Sequence, residues 1–189
     1  MIKKQTIEYK IVSIIGLAGE IQTEEIYKLR YGKEYIRKTV SKLITKKCIK
    51  VYKFDNKKYL RLTVNCKRYL LENYPERFES LFKGANRTNK IRNEEHRRTR
   101  YHRLGELLIL LDLADVKIFS DEKTLWKKTH GFQEADGTDF TDYSSDKKTA
   151  EFYTATELKS FGLLGNARTS RAMGIIYSHP DIFVLYYFT

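Results

Sequence analysis

Lysines, arginines and hydroxyl-bearing side chains recur at helical spacing between residues 33 and 46. On a helix over this range, one apolar face is formed by Ile36, Val40, Leu43 and Ile44. When such a face is buried, the polar side chains point to solvent, where cations can meet phosphates or guanine edges and hydroxyls can meet either. The residues of this helix that we predict to contact DNA are Lys33, Tyr35, Arg37, Lys38, Ser41, Lys42 and Thr45.

A lysine-rich β-hairpin is predicted directly after this helix. Residues 48–54 and 58–62 alternate polar and apolar side chains, and the Asp55-Asn56-Lys57 segment between them has the composition of a turn. Lysines on such a hairpin suit contacts with backbone phosphate beside the groove. The hairpin residues that we predict to make these contacts are Lys53, Lys57 and Lys58.

The remaining elements of the first eighty residues must position this helix and hairpin. Apolar spacing predicts a first helix from Ile7 and a second over Thr23–Leu29, capped by its own threonine. A further helix is capped by Thr63 and runs through Tyr74, and Pro75 marks its end. Three helices followed by a basic hairpin are typical of a winged helix-turn-helix, which we assign to residues 1–82. The alternative is the same fold used for protein contacts, with solvated lysines.

Positive charge is concentrated in the first hundred residues. Residues 1–82 carry 19 Lys+Arg against 9 Asp+Glu, residues 83–103 carry 8 against 2, and residues 104–189 carry 9 against 13. The net charges of +10, +6 and −4 agree with the total of +12. This division indicates that the first part meets a polyanion, here double-stranded DNA, and that the rest has another task.

Residues 83–103 are predicted to be a basic connector whose first half is a mobile arm. Its second half continues into a helix, where cations near the N-terminus are unfavourable unless they have another use. We predict a phosphate clamp formed by Arg97, Arg98 and Arg100. Two alternatives remain open: a solvated helix start, or arginines that pair with the acidic second half of the chain.

The second half, residues 104–189, is predicted to be a small mixed α/β domain, so the whole chain is of the α+β class. We expect a helix over Leu104–Leu113, a strand over Val116–Phe119, and a helix near Glu157–Phe161 capped by Thr154 or Thr156. Two apolar runs at 172–177 and 182–188 predict a hairpin covered on both faces. This half is assigned to contact with a protein partner or a second copy of the chain, giving a homodimer.

Metal and catalytic chemistry is the weaker interpretation. Glu157-Leu158-Lys159 has the spacing of a metal-dependent nuclease motif, but flanking cap and glycine signals place it on a helix, where the side chains diverge. The acidic residues from Asp136 to Asp146 suit a solvated loop, and His96 and His102 face different ways on a helix. The sequence has no Gly-rich phosphate loop or nucleophile elbow. We therefore predict no metal, no cofactor and no enzymatic activity.

The compartment is predicted from two negative signals. Cys48 and Cys66 form neither a CxxC motif nor a disulfide framework, and both suit small buried hydrophobes in a reducing cytoplasm. Charged residues interrupt the apolar run near the N-terminus, and no stretch reaches the length of a membrane span, so no membrane contact is expected.

Six segments of the chain have a distinctive composition: YLRLT at 59–63, YLLENYPERF at 69–78, HRRTRYHRLGELL at 96–108, VKIFSDEK at 116–123, FYTATELK at 152–159 and SRAMGI at 170–175. Taken together, these segments resemble the replication-relaxation family of Gram-positive plasmids and conjugative elements. The resemblance implies a winged-helix module joined to an α/β domain, with DNA binding in the replication or transfer of a mobile element. Family members run longer, so it also implies a truncated or repurposed relative.

Three functions follow as hypotheses. The first is a DNA-binding protein of a mobile genetic element that acts stoichiometrically in replication, transfer or transcription control. The second is a phage- or plasmid-encoded inhibitor of a host defence nuclease, similar to an anti-CRISPR protein, whose acidic half would meet a basic nucleic-acid channel. The third is a metal-dependent nuclease.

Overall fold

The computed structural model describes residues 2–79, 81–82, 95–123, 149–160, 172–178 and 181–186. It is a mixed α+β structure with two small sheets, as the sequence predicts. The chain divides into two compact units, Met1–Ala114 and Asp115–Thr189. Over the described ranges, no helix combines the length and apolar character that a membrane crossing requires.

The first unit begins with three helices: α1 (Ile7–Ala18), α2 (Thr23–Ile26) and α3 (Lys33–Thr45). Thr6 caps α1 by accepting a hydrogen bond from the Tyr9 amide at 3.2 Å. The predicted cap of α2 is wrong, because Gln22 holds the N-cap position and the Thr23 hydroxyl instead donates to the Lys58 carbonyl at 3.1 Å. The predicted extension of α2 to Leu29 is also too long.

A three-stranded antiparallel sheet completes this part of the unit. Its strands are β1 (Ile21–Gln22), β2 (Ile49–Phe54) and β3 (Lys57–Leu62), in the order β1-β3-β2. Asp55 and Asn56 both have positive φ, 47° and 57°, as a two-residue turn of type I′ requires. The predicted hairpin is therefore confirmed.

Two short helices follow the hairpin. Helix α4 (Val64–Asn73) is capped by Thr63, whose hydroxyl accepts from the Cys66 amide at 3.1 Å. Pro75 ends this helix as expected, and it also opens α5 (Pro75–Phe78) at a position where a missing amide hydrogen costs nothing.

Helix α6 (Glu95–Leu113) belongs to the first unit along its whole length. It approaches β1 closely at Gly105, where a Cβ atom would lie 2.8 Å from Cγ1 of Ile21. The first unit thus ends at Ala114 rather than at the predicted limit of residue 82, because α6 packs its apolar side chains there.

The second unit contains β4 (Glu151–Thr154), α7 (Ala155–Ser160), β5 (Ala172–Ser178) and β6 (Asp181–Tyr186), with the sheet order β4-β5-β6. Thr154 caps α7, as predicted. In place of the predicted strand over Val116–Phe119, the structure has a single parallel bridge between Lys117 and Glu151. The predicted second hairpin is present, but β6 is exposed, so the expectation of cover on both faces is wrong. Its exposed side chains include Ile182, Phe183 and Val184.

Candidate nucleic-acid interface

The third helix has one buried and one exposed face. Ile36, Val40 and Leu43 are buried as predicted, whereas Ile44 is 37% exposed and Thr39 takes part in the buried face. The buried Thr39 hydroxyl has a hydrogen-bond partner, since it donates to the Tyr35 carbonyl at 2.8 Å. All the residues of α3 that we predicted as contacts are exposed: Lys33, Tyr35, Arg37, Lys38, Ser41, Lys42 and Thr45.

These exposed residues differ in how far they are already engaged. Arg37 pairs with Glu34 at 2.8 Å and lies over the Tyr27 ring, 5.7 Å from its centroid. The Thr45 hydroxyl donates to the Ser41 carbonyl at 3.1 Å. Within the described residues, Lys33 and Lys38 make no ion pair. The two lysines in the N-terminal half of α3 are therefore available for an external partner, whereas Arg37 is already engaged.

The C-terminal end of α3 is partly neutralised by α1. Glu8 accepts hydrogen bonds from Lys42 at 2.6 Å and from Lys46 at 3.0 Å. Burial alone would raise the pKa of Glu8, but the hydrogen bonds and charges of the two lysines outweigh it and lower the pKa below its ordinary value of 4.5. The same contact with Glu8 raises the pKa of Lys42.

The hairpin lysines Lys53, Lys57 and Lys58 are all exposed, as is Lys50 on β2. Lys53 and Lys58 are direct cross-strand partners in the β2–β3 register. Like charges placed opposite each other destabilise a sheet, so this pair has a cost that a bound anion would relieve. The pairing is consistent with a surface that meets phosphate.

The three arginines that we predict to form a phosphate clamp differ in what the structure shows of them. Arg98 is buried, with 7% of its surface exposed, and is bound to Glu20, which argues against the phosphate contact predicted for it. Arg100 is exposed on α6. The side chain of Arg97 lies outside the described residues, as do residues 83–94.

Sequence reasoning missed the buried charge cluster around Glu20. This carboxylate is 1% exposed and accepts from Arg98 at 3.0 Å, from Nε2 of His102 at 2.7 Å and from Nε of Arg61. Burial would raise the pKa of Glu20, but the His102 hydrogen bond and the two guanidinium groups outweigh it and lower the pKa. The cluster thus holds a charged carboxylate in the interior.

Aromatic rings of the hairpin enclose this cluster. The Arg98 guanidinium lies 4.0 Å from the Phe54 ring centroid, and the His102 ring stacks on Tyr59 at 3.9 Å. The Arg61 guanidinium lies 4.7 Å from the Tyr52 ring centroid. Glu20 therefore ties β3 to α6 and fixes the base of the hairpin. The only sequence signal for this cluster is the position of Glu20 directly after Gly19, in the short segment between the first two helices.

The residues considered for metal chemistry are not assembled into a metal site in the part of the chain that the structure describes. Glu157 lies on α7, where it caps the Thr154 amide at 2.8 Å and accepts from buried Lys123 at 2.7 Å. Lys159 is exposed on the same helix. The side chain of His96 and the acidic segment from Asp136 to Asp146 lie outside the described residues.

No family model, curated protein or solved structure matches this chain.

Proposed function

We propose that the first unit is a winged helix-turn-helix that binds double-stranded DNA, with α3 in the major groove and the β2–β3 hairpin on the flanking phosphates. The element order supports this fold, since three helices precede the hairpin and a short strand between the first two helices pairs with β3. In such modules the N-terminal residues of the recognition helix contact base edges.

The observation that carries the proposal is the exposed face of α3. Lys33 and Lys38 lie on it without an ion-pair partner among the described residues, and Tyr35 adds a 55% exposed ring with a hydroxyl. Tyr35 lies one helical turn before Lys38, on the same side of the helix. A groove would let this ring and the ammonium groups contact sugars, phosphates and base edges.

The biological setting is proposed from the resemblance to replication-relaxation proteins. A stoichiometric role in replication, transfer or transcription control of a mobile element in the cytoplasm needs recognition of DNA and no chemistry from the protein. Among the described residues, the cationic groups of α3 and the hairpin supply the electrostatic part of that recognition.

Fluorescence anisotropy with a labelled duplex, titrated from about 50 to about 200 mM salt, tests the proposal. Lys38→Glu is expected to weaken binding by about tenfold or more and to lower the salt dependence, because one phosphate contact is lost and a repulsive charge is added. Arg68→Glu makes the same charge change at an exposed position of α4. Equal losses for the two variants, or no binding at the lowest salt, would refute the proposal.

Selection of bound duplexes from a randomised pool then separates a sequence-specific protein from a general DNA binder. The proposal predicts an enriched motif for the unmodified chain and a changed motif for Tyr35→Ala, because that ring lies on the face that enters the groove. If the unmodified chain and Tyr35→Ala enrich the same motif, Tyr35 does not contribute to sequence recognition.

A further inference from the structure

The exposure of the second sheet rises from one edge to the other. Strand β4 is buried, the described side chains of β5 are mostly half-buried, and the first four residues of β6 are exposed. Ile182, Phe183 and Val184 each have between 48% and 60% of their surface exposed. Because adjacent residues of a strand point to opposite faces, β6 is apolar on both faces of the sheet. This side-chain pattern is typical of a strand that other strands cover on either side.

The two edges of this sheet differ in what their backbone groups bind. At the β4 edge, the Lys117 amide donates to the Ala150 carbonyl, and the Phe152 amide donates to the Lys117 carbonyl, both at 2.9 Å. In the described part of the chain, β6 pairs only with β5, so every second residue of β6 directs its amide and carbonyl away from the sheet. The β4 edge is therefore occupied, whereas the β6 edge can accept another strand.

Strand β6 lacks the features that usually protect the edge of a sheet. Its only charged residue is Asp181, at its first position, and it contains no lysine or proline. The bulge of this sheet lies in β5 and leaves β6 regular. By contrast, β2, the outer strand of the first sheet, carries Lys50 and Lys53 beside its exposed Val51. An unprotected apolar edge is a template for pairing with another chain.

We propose that β6 is a dimer interface, at which the β6 strands of two copies of this chain pair antiparallel and form one sheet in the order β4-β5-β6-β6-β5-β4. Antiparallel pairing places the two Asp181 carboxylates at opposite ends of the contact. Parallel pairing would set these like charges side by side, which destabilises a sheet. The antiparallel arrangement also has two-fold symmetry, so the same strand supplies both halves of the contact.

A second copy suits this edge better than a strand of another kind. Within the described residues, β6 is the one strand whose exposed side chains are apolar on both faces, which is what its own edge requires of a neighbour. The joined sheet has β4 at both ends, where Lys117 already bonds the backbone. Addition therefore stops at two copies, and the apolar edge is covered in each of them. The pairing does not depend on DNA binding.

Analytical ultracentrifugation of the full chain tests the proposal. A contact of one strand with one strand is smaller than a standard interface, so the dimer should dissociate at protein concentrations between about 1 and about 100 μM. Over this range the sedimenting mass should rise from that of one chain to twice that value and no further. The mass of one chain at every concentration, or a continued rise beyond two chains, overturns the proposal.

Val184→Lys tests where the two copies meet. The side chain is exposed, so the substitution spares the core, and it places two like charges at the centre of the contact. The dissociation constant of the dimer should rise by about tenfold or more. Val51→Lys is the matched control, because it adds the same charge at an exposed position on the outer strand of the other sheet, and it should leave the dissociation constant unchanged. Equal effects of the two substitutions would contradict the assigned interface.

Hydrogen exchange locates the contact in the unmodified chain, without any substitution. The β6 amides should exchange more slowly at high than at low protein concentration, whereas the β2 amides should exchange at one rate throughout. Circular dichroism shows whether Val184→Lys is folded, and the exchange measurement decides the matter if it is not. A dimer whose β6 amides exchange as fast as those of the single chain would meet elsewhere, and the proposal would be wrong.

Discussion

Oε1 of Glu8 in α1 lies 2.6 Å from Nζ of Lys42 in α3, so the two helices share an ion pair at the end of the exposed face. Glu8 also forms an ion pair with Lys46. The positive charge at α3 is therefore uneven: its N-terminal lysines are available, whereas Lys42 and Lys46 are partly neutralised by the one carboxylate that they share. A protein that binds DNA through this helix must use the two ends differently.

The first prediction compares two lysines one helical turn apart. Lys38→Gln should weaken duplex binding by about fivefold to tenfold at low salt and lower the salt slope by about one, since an available phosphate contact is lost. Lys42→Gln should change the affinity by no more than about twofold, because Glu8 already neutralises this lysine. Anisotropy titrations at several salt concentrations measure both quantities.

Glu8→Gln provides the control for this uneven charge. Removing the carboxylate frees Lys42 and Lys46, so affinity should rise and the salt dependence should become steeper. Equal effects of the Lys38 and Lys42 substitutions, together with an unchanged affinity for Glu8→Gln, would show that the ion pair does not govern the interface.

The second prediction concerns the buried Glu20. Glu20→Gln leaves the Arg61 and Arg98 guanidinium groups without their carboxylate, and this loss should reduce the free energy of unfolding by about 3 kcal/mol. Urea unfolding followed by circular dichroism measures it. Glu34→Gln is the matched control, since it breaks an exposed Glu–Arg pair and should cost less than about 1 kcal/mol.

The pH dependence of the same cluster has a defined direction. The pKa of Glu20 is lower in the folded than in the unfolded chain, so its contribution is fully present above about pH 4.5 and is lost as the pH falls through the lowered folded value. The Glu20→Gln variant should therefore show a weaker acid destabilisation than the unmodified chain. If the free energy of unfolding of the two proteins falls equally at low pH, other carboxylates cause the acid destabilisation.

The contrast between predicted and missed features follows from sequence distance. Thr63 caps an amide three residues away, and the Asp55-Asn56 turn acts on its own backbone, so local patterns were enough to predict both. Glu20 meets partners 41 and 78 residues away, which no local pattern encodes. Arg98 was assigned to phosphate for this reason: its charge was visible, and its buried partner was not.

A similar limit applies to α2 and the unit boundary. Thr23 has the composition of a cap, but the nearby Lys58 carbonyl competes for its hydroxyl once β3 is in place. The apolar face of α6 is clear in the sequence, yet whether it packs on the preceding or the following elements is decided by the tertiary structure. The close approach at Gly105 depends on Ile21, far away in the chain.

The third prediction uses Lys67, which is buried beneath the Phe82 ring with its Nζ 5.3 Å from the centroid. Burial and the charge of Arg61 lower the pKa of Lys67 to about 8 from an ordinary 10.5. Between these values the unfolded chain binds more protons than the folded chain, so stability should rise as the pH increases from about 8 to about 10. Urea unfolding across that range measures the slope.

Lys67→Met keeps the apolar stem and removes the titrating group. Its free energy of unfolding should vary less with pH over the same interval, whereas the exposed Lys3→Met should keep the slope of the unmodified chain. A slope that survives in Lys67→Met would assign the titration to another group.

The fourth prediction tests the packing of β5 against β4. A Cβ atom at Gly174 would lie 2.2 Å from the Tyr153 carbonyl oxygen and 2.7 Å from Cε2 of Phe152. Because the first of these is a backbone atom, the strands would have to separate, and Gly174→Ala should cost about 2 kcal/mol or more. Hydrogen exchange of the β4 and β5 amides should accelerate in this variant. Gly32→Ala, where nothing lies within 4 Å of the added atom, should leave exchange in both strands unchanged. Protection of β4 and β5 that survives in Gly174→Ala would mean that these strands do not pack at the observed distance.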